Sequence, residues 1–264
     1  MKLPTYFISH GGGPWPFMED RKADFAGTFA WLQQLPSTLP EPPAAILSIS
    51  GHWEEPQFTV AISERPPMVY DYYGFPEHTY RIKYPAPGSP AVAKRVSELL
   101  ARASFGILED AERGFDHGTF VPLAVMYPKA DVPVVSLSLR ANLDAGEHIR
   151  MGAALEPLRD EGVLIIGSGL SYHNLRQLQQ SATAGPVSRQ FESWLTDAVS
   201  EASAEKRAQR LTRWAEAPAA RMAHPREEHL IPLMVAAGAA GESRGRLAFQ
   251  DNVWGVSMAS YQFC

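Results

Sequence analysis

Five short runs of apolar and β-branched residues set the tightest limit on what this chain can fold into: Thr5 to Ser9, Ala44 to Ser50, Phe58 to Ile62, Val132 to Leu139 and Val163 to Gly167. None alternates cleanly between polar and apolar, as a strand of a half-exposed sheet would. Uninterrupted runs of about four to eight apolar residues, bounded by Gly, Pro or Ser, describe strands covered on both faces, as in a parallel sheet between helices. Helical spacing fills the gaps. Pro90 to Ala103 opens on Ser89-Pro90, a capping residue followed by proline at the first helical position. Asp144 to Glu161 and Pro186 to Gln209 read as helices, and Glu228 to Ala240 as a short apolar one. The ending Gly255 to Tyr261 alternates small or polar with larger residues and is expected to add an edge strand. Strand and helix alternating along the chain predict an α/β fold: a single domain over residues 1–264, with a central, mostly parallel sheet flanked by helices.

Composition supports one large core and narrows the function classes. The chain has 264 residues, 45% hydrophobic and 20% charged, which is globular composition. Its net charge is 24 − 29 = −5 with no long basic run, which argues against nucleic acid as a partner. No window approaches the ~20 apolar residues of a membrane span. The start, Met1-Lys2-Leu3-Pro4, lacks a signal-peptide apolar region, and Cys264 is the single cysteine, so no intrachain disulfide forms. A soluble cytoplasmic protein, monomer or small homo-oligomer, is expected.

From Pro66 to Pro90 the pattern changes to Pro, Gly and Tyr: Tyr70-Asp71-Tyr72-Tyr73-Gly74-Phe75-Pro76, then Tyr84-Pro85-Ala86-Pro87-Gly88-Ser89-Pro90. Loops longer than ~12–15 residues in a compact domain are functional or disordered, and a disordered linker would not carry so many aromatic rings. This stretch reads as an ordered loop walling a pocket.

The histidines fall in telling places. His10 directly follows the first run, His52 follows Ser50-Gly51, and His173 comes shortly after Gly167-Ser168-Gly169. In open α/β sheets ligands bind beyond the C-terminal strand edge, so parallel strands would bring these imidazoles together there, with Gly11-Gly12-Gly13 and Gly51 permitting close backbone approach. One histidine after a strand is most often structural; three in the same topological place favour a metal or acid–base site. His117, in Gly114-Phe115-Asp116-His117-Gly118, reads as a helix-entry residue with Asp116 as cap, and His229 turns into the apolar helix as a ligand would. His78 and His148 read as surface positions, and His224 as structural.

Other signatures are absent. A dinucleotide fingerprint needs glycine where Pro16 stands, no Gly-Lys-Ser/Thr marks a P-loop, and Ser168 has Ile166 and Leu170 where a nucleophile elbow needs glycines. Without His-Glu-x-x-His or CxxC, neither a zincin nor a thiolate zinc site fits; a histidine-rich site suits a divalent first-row metal such as Fe(II) or Zn(II).

Six segments in order, Ser9-His10-Gly11-Gly12-Gly13-Pro14, Ser50-Gly51-His52-Trp53-Glu54, Tyr70 to Pro90, Gly114 to Gly118, Gly167-Ser168-Gly169 through His173-Asn174-Leu175-Arg176, and His229-Leu230-Ile231-Pro232-Leu233, resemble the class III extradiol ring-cleavage dioxygenases, in particular the single-chain 4,5-DOPA dioxygenase type. The resemblance implies a non-haem Fe(II) enzyme that opens catechol rings beside the two hydroxyls with O2. It implies His10, His52 and His229 as metal ligands, with Glu228 a competitor for the third place, His173 as the acid–base histidine and His117 on the substrate and O2 side. Zn(II) is expected to occupy the site in some preparations. Trp15, Phe17, Trp53, Tyr72 and Phe75 are expected to wall a planar ring. Two other readings share the metal cluster: a zinc-dependent hydrolase and a non-enzymatic metal-binding relative. An acid–base histidine in addition to the ligands favours the dioxygenase.

Overall fold

In the computed structural model, which describes residues 1–178 and 181–264, the apolar runs supply the interior of a six-stranded sheet. The strands are β1 (Thr5–Ser9), β2 (Ala45–Ser50), β3 (Glu54–Glu55), β4 (Phe58–Ala61), β5 (Ile107–Asp110), β6 (Val134–Ser136), β7 (Leu139–Arg140), β8 (Val163–Gly169), β9 (Gly245–Val253) and β10 (Val256–Phe263). The main sheet has the order β6-β2-β8-β1-β10-β9, parallel from β6 to β1 and antiparallel at β10 and β9. Every residue of β1, β2, β6 and β8 is buried, as runs without alternation require.

Three strand expectations need correction. Phe58 to Ile62 does not join the main sheet: β4 pairs with β5 in a separate two-stranded sheet. Val132 to Leu139 is interrupted after Ser136, because Ser138 exchanges hydrogen bonds with Thr59 and draws the chain away before β7 pairs with β3. The C-terminal strand is interior, not an edge. β10 lies between β1 and β9, is buried throughout, and leaves β9 as the half-exposed edge. Beyond the β1 pairing, Ser171 Oγ and Ser188 Oγ accept the β10 N–H groups of Ala259 and Ser257, so both buried donors are satisfied.

The helices are α1 (Glu19–Asp24), α2 (Ala26–Gln34), α3 (Pro90–Arg102), α4 (His117–Met126), α5 (Ala145–Ala154), α6 (Leu175–Leu178), α7 (Ser181–Val199), α8 (Ala204–Thr212), α9 (Ala220–Ala223) and α10 (Ile231–Ala239). Asp144 to Glu161 divides into α5 and a 3₁₀ turn over Glu156–Arg159. Pro186 to Gln209 divides into α7 and α8, since Ser203 caps a new helix by accepting from Lys206 N. Pro232 stands in the first turn of α10, so His229 lies in the turn before the helix.

Two helices bracket the site from opposite faces. Successive strand residues point to opposite sides of a sheet. Gly167 of β8 lies under the carbonyl of Pro232 at the start of α10, while the next residue, Ser168, donates its hydroxyl hydrogen to Gly118 O at the start of α4. The N-terminal ends of α4 and α10 therefore both reach the C-terminal edge of β8. No described helix is long and apolar enough to cross a membrane.

Candidate active site

Five histidines meet at that edge. His10 is the first residue beyond β1, and its N–H donates to Gly169 O at 3.0 Å, extending the strand pairing by one bond. Gly11 then turns the chain with φ +79°, and a Cβ there would stand 2.4 Å from the Trp15 indole nitrogen. That nitrogen donates to His10 O at 2.8 Å. His52 lies two residues past β2, after Gly51 donates to Ser168 O. His229 is drawn in by a close backbone approach: its carbonyl accepts from Leu170 N at 3.0 Å, and a Cβ on Gly169 would collide with it at 2.0 Å. His117 opens α4 beneath the cap, where Asp116 Oδ1 accepts from Thr119 N at 3.0 Å. His117 thus enters a helix as the sequence suggests, and its ring lies among the other histidines. His173 N donates to Ala223 O, anchoring the loop after β8 to α9.

The rings crowd together. The His10 centroid is 5.0 Å from His52, 5.2 Å from His117 and 5.3 Å from His229, and the His52 and His117 centroids are 3.9 Å apart. His173 stacks on His229 at 3.5 Å. Each ring has an acceptor at Nδ1. Gly11 O takes His10, Asp71 takes both His52 (3.2 Å) and His117 (2.9 Å), and Glu228 Oε1 takes both His173 (2.8 Å) and His229 (2.9 Å). Such acceptors fix the Nδ1–H tautomer and leave Nε2 as a lone pair facing inward.

Electrostatics hold this arrangement. Burial pushes the Asp71 carboxyl up, but hydrogen bonds and charge from His117 and His52 outweigh it and hold Asp71 at about 2. Glu228 is likewise held well below the carboxylate range by His173 and His229, against the effect of burial. Burial and neighbouring imidazoles lower His52 to about 4 and depress His10 and His229 strongly. Neutral rings between ionised carboxylates are the form that ligates metal. His10 Nε2 is buried without a partner, and His52 Nε2 stands 3.2 Å from His229 Nε2. Among the described residues, two groupings of side chains are close enough to share an ion: His10, His52 and His117, and His173, Glu228 and His229. In the second, Glu228 Oε1 is already engaged by two ring N–H groups, so hydrogen bonding accounts for the closeness.

The cluster forms one wall of a cavity of about 790 Å³. Tyr72 and Phe75 from the aromatic loop line it, and Phe75 rests where a Cβ on Gly13 would fall. Trp15, Phe17 and Trp53 do not line it. Trp15 is fully buried, stacked on Phe25, and serves the His10 carbonyl instead. Trp53 is buried under the Arg113 guanidinium and donates to Glu55 Oε1. Phe17 packs on the core from its 3₁₀ turn. The wall includes residues the sequence reading did not single out: Asp71, Arg21, Tyr73, Leu170, Leu175 and Trp254. Asp71 was legible within the aromatic loop; Arg21 and Trp254 lie on distant segments that only the fold brings together. Outside the site, His78 is exposed as expected, whereas His148 is fully buried, with Nδ1 on Asp144 O and Nε2 accepting from Arg140 N.

Residues 4–261 match the family model described as the catalytic LigB subunit of aromatic ring-opening dioxygenase. A Beta vulgaris protein named 4,5-DOPA dioxygenase extradiol is 42% identical over 97% of this chain and 94% of its own length. Its Portulaca grandiflora namesake is 39% identical over 98% of this chain and 95% of its own. Among solved structures, an uncharacterised protein from Escherichia coli K12 superposes with a TM-score of 0.79 at 30% identity, covering 100% of both chains.

Proposed function

The chain belongs to the LigB family of aromatic ring-opening dioxygenases, and from that premise we propose how its cavity carries out the reaction. It is an extradiol dioxygenase acting on catechols with O2. In our reading His10, His52 and His229 hold Fe(II), and Zn(II) can occupy the same site in isolated protein through its similar taste for imidazole. One observation carries the assignment: the 3.2 Å contact between His52 Nε2 and His229 Nε2. Both rings spend their Nδ1 hydrogen on a carboxylate, and burial opposes a second proton, so two lone pairs face one another. A bound cation would replace that repulsion with coordination, and the unpartnered His10 Nε2 would be the third donor. Bound Fe(II) supplies open positions for a chelating catechol and a path for electron density from the electron-rich ring to O2.

The protein's own groups handle protons and position. His173, fixed through Nδ1 on Glu228, presents Nε2 to take a catechol hydroxyl proton and return it to the ring-opened product; the ionised Glu228 stabilises the imidazolium between these steps. His117, fixed by Asp71, faces the reacting oxygens from the opposite side. Tyr72 and Phe75 flank the ring and exclude water. Both oxygen atoms of O2 enter the product as the carbon–carbon bond beside the diol breaks, leaving an unsaturated acid bearing an aldehyde. The named activity of the plant relatives supports a DOPA-like catechol opened between carbons 4 and 5. The same reading has the protein act in the cytoplasm as a monomer or small homo-oligomer.

Anaerobic reconstitution with Fe(II), followed by O2 uptake against a panel of catechols and single-hydroxyl phenols, tests this. Uptake with catechols alone, with a yellow ring-opened product, is expected. Ester or amide hydrolysis without O2 uptake would overturn it.

A further inference from the structure

Among the described residues the cavity has one strong cation on its wall. Arg21 projects from α1 with its guanidinium carbon 5.2 Å from the centroid of the Trp254 ring, and among the described residues no carboxylate comes within ion-pair distance of it. A guanidinium held against an aromatic face and left without an anion keeps its donors for a ligand. The adjacent Lys22 turns away, over the Phe29 ring.

Trp254 adds an independent sign. It occupies the two-residue turn of the β9–β10 hairpin, with φ +53°, followed by Gly255 at φ +80°. Two successive left-handed residues make the hairpin turn that favours Asn-Gly, and an aromatic side chain at the first position is strained. Strain of this kind collects where the side chain has work beyond the fold. Here the indole is 36% exposed, packs edge-on to Phe25 and lines the cavity beneath Arg21. Phe25 in turn stacks on Trp15, whose nitrogen holds the His10 carbonyl, so a packed aromatic row ties this corner to the metal-binding end.

We propose that Arg21, oriented by Trp254, binds the carboxylate of the substrate's side chain and selects catechols that carry such a carboxylate over those that lack one. This rests on the ring-cleavage reading. With its catechol end at the histidines, the substrate would extend its side chain along the cavity wall that carries Arg21. Among the described residues the only carboxylate on that wall, Asp71, is engaged by two imidazoles and does not neutralise the guanidinium.

The test uses 3,4-dihydroxyphenylpropionate, 4-ethylcatechol and dopamine as acidic, neutral and cationic probes of Fe(II)-reconstituted enzyme. Arg21→Gln should raise KM for the acid about tenfold, the worth of one exposed charge-assisted contact, with kcat and the 4-ethylcatechol constants unchanged. Arg21→Lys should restore part of the loss. Trp254→Asn should keep Tm within a few degrees, since the favoured turn offsets the lost contact on Phe25, yet raise KM for the acid alone. Calorimetric titration of the acid into metal-free protein reads the subsite without turnover, and Arg21→Gln should weaken it about tenfold. Equal binding by the variant, or equal KM changes for all three catechols, would overturn the inference. Charge-selective binding without ring opening would instead leave the subsite standing and reject the ring-cleavage reading.

Discussion

Glu228 Oε1 accepts from His173 and His229 together, and that sharing separates the roles of three adjacent groups. A carboxylate behind a ligand imidazole orients it and raises its basicity, so Glu228→Gln should weaken metal binding about 10–100-fold, whereas His229→Ala should abolish it. Metal analysis after dialysis distinguishes them, and equal loss would make Glu228 a ligand. His173→Gln should retain the metal and lower kcat about 10²–10⁴-fold with KM little changed, the signature of a group that moves a proton after binding. A metal-free His173→Gln protein would contradict its acid–base role. His117 sits as close to His10 and His52 as a ligand would. His117→Gln is nonetheless expected to keep far more metal than His10→Ala and to alter substrate or O2 handling; full metal loss would exchange the roles of His117 and His229.

α4 shows how a helix fault becomes an anchor. Pro122, inside the helix, has no N–H to donate to Gly118 O, and Ser168 Oγ at the end of β8 supplies the missing donor. Ser48 and Thr119 hydroxyls, 3.0 Å apart, tie the same turn to β2. The start of α4, and with it His117, is thereby fixed to the edge where the strands end. Ser168→Ala strands a buried carbonyl and should lower unfolding free energy by about 1–3 kcal/mol in urea, with metal content kept. No loss of stability would mean that the helix rests on packing alone. Ser168 lies among glycines, but its hydroxyl belongs to this joint, not to hydrolysis.

Across the whole molecule, buried neutral histidines make folding sensitive to acid. His224 is fully buried, Nε2 3.0 Å from Ser171 O, and burial lowers it to about 4 from an ordinary 6.5. The unfolded chain takes up a proton that the folded one refuses, so this contribution is whole above pH 6.5 and is lost as pH falls toward 4. The loss amounts to about 3 kcal/mol. Urea unfolding of metal-free protein at pH 7, 6 and 5 should show the decline, and His224→Asn should flatten part of it. An unchanged slope would show that His224 is paired differently in solution. His148, lowered by the same burial, adds in the same direction.

Continuity of apolar residues was enough to place β1, β2 and β8 in a covered parallel sheet, because only strands buried on both faces tolerate such runs. Their shared direction then implied that His10, His52 and His173 would converge. The ordered segments from Ser9 to Leu233 made the dioxygenase resemblance readable as well. The sequence could not show that β10 is interior, since strand order depends on which faces the helices cover. Nor could it show that Trp15 and Trp53 face the core: an aromatic residue beside a site reads the same whether it lines the cavity or supports it. The sharing of Asp71 by His52 and His117, the meeting of Glu228 with His173 and that of Arg21 with Trp254 join separate segments, and only the tertiary structure brings these to hydrogen-bonding or stacking distance.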